Sequence, residues 1–119
     1  MIQELSSAKS RTYTNATGNY TCIANRIDLY LPKSKKTLVI QFGIYKKNPS
    51  GSIGNYTIEF YDAFGNTNYT FLAHQERTSG SGFVGSDDNF MCLSRTKSTI
   101  IHRADNAVGN INWFAFNLE

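Results

Sequence analysis

From residue 38 onward, apolar and polar positions alternate in short runs, and no stretch sustains a helical period. Residues 38–44 (LVIQFGI) place Leu38, Ile40, Phe42 and Ile44 on one face of an extended strand. Residues 56–61 (YTIEFY) alternate with Tyr56, Ile58 and Phe60 inward and Thr57 and Glu59 outward. Segments 69–74 (YTFLAH), 90–95 (FMCLSR), 98–102 (STIIH) and 111–117 (INWFAFN) read as four more strands. Stretches rich in Asn, Gly, Ser and Asp separate them at 46–55, 62–68, 75–89 and 103–110, with Phe64 placed to plug one end of the core. Ahead of residue 38 the pattern is weaker. The polar run from Ser6 to Asn19 reads as a linker or a loosely docked arm. Short extended pieces follow at 20–24 and 27–31, the second stopped by Pro32. About six core strands at this spacing predict an all-β chain folded as an antiparallel β-sandwich.

The last strand adds a clue about assembly. Ile111, Trp113 and Ala115 share one face, while Phe114 and Phe116 share the other. In residues 69–74, Leu72 likewise opposes Tyr69, Phe71 and Ala73. A sheet in a lone small sandwich keeps one face wet, so a second apolar face predicts a cover. Either another subunit meets Leu72, Phe114 and Phe116, or residues 1–37 fold back over them.

Composition supports the β assignment. Of the 119 residues, 12 are Asn, 11 Ser and 11 Thr, and the aromatics number 7 Tyr, 8 Phe and 1 Trp. Thr, Ile, Tyr and Phe favour strands, and the helix formers are scarce. The length suits one domain. No stretch approaches the roughly 20 apolar residues of a membrane-spanning helix, and no leader peptide is visible. Net charge is +3, with +6 carried by residues 1–47 and −3 by the remainder. The pairs Lys35–Lys36 and Lys46–Lys47 flank an apolar run and read as solubilising residues at strand ends rather than as nucleic-acid contacts.

Candidate chemistry is sparse. The two histidines, His74 and His102, lie in no catalytic motif, and Cys92 sits mid-strand, where burial outweighs any thiol dyad with either of them. The adjacent Asp87–Asp88 pair lacks both a second carboxylate across a cleft and the spaced oxygen ligands of a calcium loop. No enzyme, metal or cofactor is expected. Cys22 and Cys92 fit no metal or redox spacing and read as reduced thiols, although pairing stays open. The sequons at Asn15, Asn19, Asn55 and Asn68 read as chance products of an Asn- and Thr-rich chain. What remains is a surface of Asn, Ser, Thr, Tyr and Gly, which suits recognition of hydroxyl-rich ligands.

Four blocks over residues 31–117 resemble the C-terminal domain of bacteriophage tail-fibre proteins. Residues 38–43 (LVIQFG) are similar to that family's "L-I-I-Q-W-G" strand, with Leu31–Pro32 in the place of its upstream "K-L-P". Residues 56–70 resemble "V-T-F-P-x-A-F-x-N-x-x-Y", with Phe60, Ala63, Phe64, Asn66 and Tyr69 at the matching positions. Residues 94–101 occupy the place of "T-G-F-T-V", and residues 111–116 (INWFAF) resemble "x-x-W-I-A-I-G". The chain departs from the pattern at Tyr61–Asp62, at 97–99 and at Asn117. The strand pattern is also similar to that of H-type lectins. Either resemblance implies an oligomeric β-sandwich, trimeric in the fibre family, that binds a cell-surface glycan without catalysis and without nucleic-acid or membrane insertion. It implies a place in a virion tail fibre, or alternatively an extracellular or cell-surface location. A bacterial lectin-like or adhesive module and a purely structural trimerisation domain remain alternatives. On this view residues 1–30 are an arm or shaft remnant, 31–117 the tip domain, and 118–119 a cloning scar.

Loops carry function when a scaffold positions them. If the last four strands run up and down in sequence order, loops 75–89 and 103–110 leave the sandwich at one end. Arg77, Asp87, Asp88, Arg103 and Asp105 would then meet the ligand there through charge-assisted bonds. Solvated turn charges are the alternative at these five positions.

Overall fold

The computed structural model of the chain describes residues 5–15, 20–48, 54–77, 91–104 and 108–119. Eight strands form: β1 (Leu5–Thr14), β2 (Thr21–Leu31), β3 (Lys36–Lys46), β4 (Gly54–Glu59), β5 (Thr70–Arg77), β6 (Met91–Arg95), β7 (Thr99–Ala104) and β8 (Val108–Leu118). All pairings are antiparallel, in a five-stranded sheet ordered β1-β2-β3-β8-β5 and a three-stranded sheet ordered β4-β7-β6. The fold is all-β, as the alternation predicts: among the described residues the six expected core strands appear as β3 to β8, with β1 and β2 ahead of them.

The core lies between the sheets. The five-stranded sheet contributes Cys22, Ala24, Val39, Tyr45, Ile111, Trp113 and Ala115, and the smaller sheet faces them with Tyr56, Ile58, Ile100 and Ala104. Phe60 joins the layers, with its ring centroid 5.3 Å from that of Trp113. Phe64 plugs the end as expected, stacked on Tyr69 with centroids 4.6 Å apart. Gly43 is required by a close approach. A Cβ there would collide with the Ile23 carbonyl oxygen and stand 2.9 Å from Cζ2 of Trp113.

The sequence reading of residues 6–31 needs correcting. The run expected as a linker or arm contains β1, and the pieces at 20–24 and 27–31 are one strand; both pair into the same sheet as β3. Beside the core residues Cys22 and Ala24, their inward face carries polar side chains that clasp the other layer. Arg11 Nη2 donates to the Phe60 carbonyl at 2.5 Å, the Tyr13 hydroxyl accepts from the Glu59 amide at 3.1 Å, and Arg26 Nη1 donates to the Ala63 carbonyl at 3.1 Å. Those bonds satisfy backbone groups at and beyond the end of β4, the edge strand of the smaller sheet. In β3 the set Leu38, Ile40, Phe42 and Ile44 shares one face, as the alternation predicts; that face turns away from the core, and Val39, Gln41, Gly43 and Tyr45 face inward. Fully buried Gln41 clamps the chain after β4: its Nε2 donates to the Asp62 carbonyl at 2.8 Å and its Oε1 accepts from the Asp62 amide at 3.2 Å.

Leu118 and Glu119, read from sequence as a scar, continue the β3–β8 ladder. Leu118 lies opposite Leu38, and Glu119 exchanges two backbone bonds with Thr37.

Candidate recognition surface

Along the strands, the two ends of the sandwich differ. One end gathers the 32–35 turn, segment 61–69, the 96–98 turn and Glu119, tied by bonds such as Gly65 N–H to the Glu119 carboxylate at 2.6 Å. Lys35 closes the 32–35 turn at φ 54, a left-handed backbone that an L side chain rarely adopts. β5 and β7 run to the opposite end. Arg77 stands opposite Val108, and Arg103 opposite both Asn55 and Met91, so the segments after β5 and β7 leave from the same end. Arg103 is half-buried on β7. Asp87, Asp88 and Asp105 lie outside the described residues, as does the side chain of Arg77.

The outer face of the five-stranded sheet is divided. Toward the Lys35 end it is apolar: register places Leu29, Leu38 and Leu118 in one row, Ile27, Ile40 and Phe116 in the next, then Phe42, Phe114 and Leu72. Leu72 is 59% exposed, Leu118 48%, Phe114 39% and Phe42 36%. Phe116 is half-buried, with its ring centroid 5.5 Å from that of Phe114. Leu72, Phe114 and Phe116 thus share an outward face, as the alternation predicts. β1 and β2 extend that sheet sideways, so the described part of residues 1–37 does not fold over it.

Toward the opposite end the same face turns polar. His74 stands opposite Asn112, Glu76 opposite Asn110, and Lys46 on the other side of Asn110. Glu76 accepts from Asn112 Nδ2 at 2.5 Å and from Asn110 Nδ2 at 3.3 Å. The Asn110 and Asn112 bonds, in that order of effect, hold its carboxyl below the ordinary value. Neither this cluster nor the outward placement of Phe42 is foreseen by the sequence reading. The signal was present in Asn110 and Asn112, two apart on one face, against Glu76 and His74, two apart on the neighbouring strand.

The interior holds polar groups without chemistry. His102 is 3% exposed, and its Nε2 sits 2.7 Å from the Gln75 amide nitrogen. With that amide donating, the ring proton sits on Nδ1, which finds no partner among the described residues. Burial pushes the imidazole pKa down. Trp113 is buried, and its indole N–H also lacks a hydrogen-bond partner among the described residues. Cys22 is a buried thiol, raised in pKa by desolvation, and Cys92 is a separate free thiol on β6. Asn15 is 4% exposed and donates to the Lys46 carbonyl, which leaves no room for a glycan, whereas Asn55 and Asn68 are exposed. Among the described residues, no three His, Cys, Asp or Glu side chains converge. Comparison with known proteins finds no matching family model and no significant match among curated proteins or solved structures.

Proposed function

We propose that this chain is a non-catalytic recognition domain, the tip of a phage or prophage tail fibre, which binds a bacterial surface glycan as a homotrimer. The observation that carries this is the divided outer face of the five-stranded sheet. Its apolar part spans β2, β3, β8 and β5 over the rows of Leu38, Ile40 and Phe42, close to 400 Å² in projection from standard strand spacings, with the Phe42–Phe114–Leu72 row at its border with the polar end. Patches of that size on single chains are commonly interaction sites. A second copy is the occupant with the right chemistry, because these rows offer aliphatic and aromatic side chains flanked by Thr70 and Asn25, and no charge. The polar end, where β5 and β7 finish, then lies beside the subunit junction, where a ligand can reach it.

A purely structural trimerisation domain is the second reading, favoured by the same apolar field. Light scattering tests the assembly that both readings share, and a glycan array separates the two. Light scattering of the purified chain is expected to give the mass of three copies, and a monomer at high micromolar concentration would overturn the assembly. Phe116→Lys, in the middle apolar row, is expected to dissociate it, since a lysine buried without a partner is costly. Phe116 lies on the outer face of the sheet, so the single chain should still fold. A glycan array probed at micromolar protein then distinguishes recognition from structure alone: signal supports recognition, and silence across bacterial surface glycans supports the second reading.

A further inference from the structure

Building on the glycan-recognition proposal above, we infer that the polar end of the outer face, at Glu76, Asn110 and Asn112 beside His74 and Phe114, binds one neutral saccharide ring. The amides are already oriented. An ionised carboxylate only accepts hydrogen bonds, so Asn110 and Asn112 must each turn nitrogen toward Glu76 and carbonyl oxygen away from it. Each amide then presents an acceptor and a second N–H donor side by side, the pairing that adjacent sugar hydroxyls require. The carboxylate holds both side chains in place, so binding sacrifices little rotamer freedom.

An apolar wall completes the site. A shallow groove of about 260 Å³ is lined by Leu72, Ala73, His74, Asn112, Trp113 and Phe114. It lies below the roughly 300–1,000 Å³ of drug-sized pockets and suits one ring rather than a chain of them. The exposed edge of Phe114 offers a surface for the C–H face of a sugar, and His74, directly opposite Asn112, adds a ring nitrogen at the rim. The formal charges of Glu76 and Lys46, on either side of Asn110, cancel. A neutral sugar therefore fits better than an acidic one, which Glu76 would repel.

The test is a titration of ¹⁵N-labelled protein with the methyl glycosides of glucose, galactose, mannose and N-acetylglucosamine. At least one is expected to shift the side-chain amide signals of Asn110 and Asn112. Asn112→Ala is expected to weaken that binding at least tenfold. Glu76→Gln, which frees the amides to rotate, should weaken it several-fold with the melting temperature unchanged. If Asn112→Ala fails to fold, Asn110→Ala takes its place. Binding that survives both Asn112→Ala and Glu76→Gln, with shifts elsewhere, would overturn this site and leave glycan recognition standing. No shift with any of the four sugars would overturn the site, and silence on the glycan array as well would overturn both.

Discussion

Replacing Gly43 with alanine adds one methyl group where the five-stranded sheet has no room. The new Cβ would meet the Ile23 carbonyl, which is backbone and belongs to the neighbouring strand, and the Trp113 ring at 2.9 Å. A flexible side chain could swing aside, but a ladder carbonyl cannot, so β2 and β3 must part locally. Overpacking of this kind costs roughly 1–3 kcal/mol, and weakening a ladder hydrogen bond adds about 1 kcal/mol. The expected loss is therefore about 2–4 kcal/mol. With a urea slope of about 1–3 kcal/mol per molar, the unfolding midpoint should fall by roughly 1–2 M without a change in slope. Gly54→Ala is the internal control. Its Cβ would meet only Tyr56 side-chain atoms, at 3.5 Å and beyond, so its midpoint should barely move. If the two alanine variants unfold alike, then Ile23, Gly43 and Trp113 are not aligned as described.

Stability should fall with acid through His102. Its folded-state pKa lies below the ordinary value because of burial, so below about pH 6.5 the unfolded chain binds the proton more readily than the folded one. Stability is then lost as pH drops from that point toward the folded pKa, with a slope approaching about 1.4 kcal/mol per pH unit. Urea midpoints measured between pH 7.5 and 5.5 should show this slope, and His102→Gln should flatten it; an equal slope in both proteins would assign the effect to other groups. At the 32–35 turn, Lys35→Gly should stabilise the fold by about 0.5–1 kcal/mol, because glycine adopts φ 54 without the steric cost of a side chain. A lowered melting temperature in that variant would refute the turn geometry.

The fold was legible wherever alternation and burial coincide. β4 and β8 bury the residues that their pattern assigns inward. At β3 alternation groups the faces but does not say which is buried, and the more apolar face is the outer one. On the inner face Gln41 clamps a loop and Gly43 admits the Trp113 ring. β1 escaped notice because its inward residues, Lys9, Arg11 and Tyr13, work through their polar tips: Lys9 lies 6.0 Å over the Tyr61 ring, and Arg11 and Tyr13 bond to the backbone of segment 59–60. At the recognition surface, Leu72 and Phe114 were readable as exposed apolar residues. The Glu76 cluster was not, because three short polar side chains in strands resemble ordinary solvent positions until register brings them together.

The strand order has a consequence for how the chain is assembled. β8, the last strand in the sequence, does not sit at an edge but is inserted between β3 and β5. The β1-β2-β3 meander can form from local contacts, but its β3 border stays unpaired until β8 arrives, with Leu38 waiting for Leu118. Closing that long loop precedes any reward from the ladder, which places the chain among slow, high-contact-order folders. A chain that has paired β1, β2 and β3 but not yet β8 would offer an open border flanked by Ile40, Phe42 and Ile44, a template for pairing with the wrong chain. Late synthesis of β8 thus makes nascent copies vulnerable to aggregation, and expression yield should depend on temperature and on holdase chaperones more steeply than the stability of the finished sandwich would suggest.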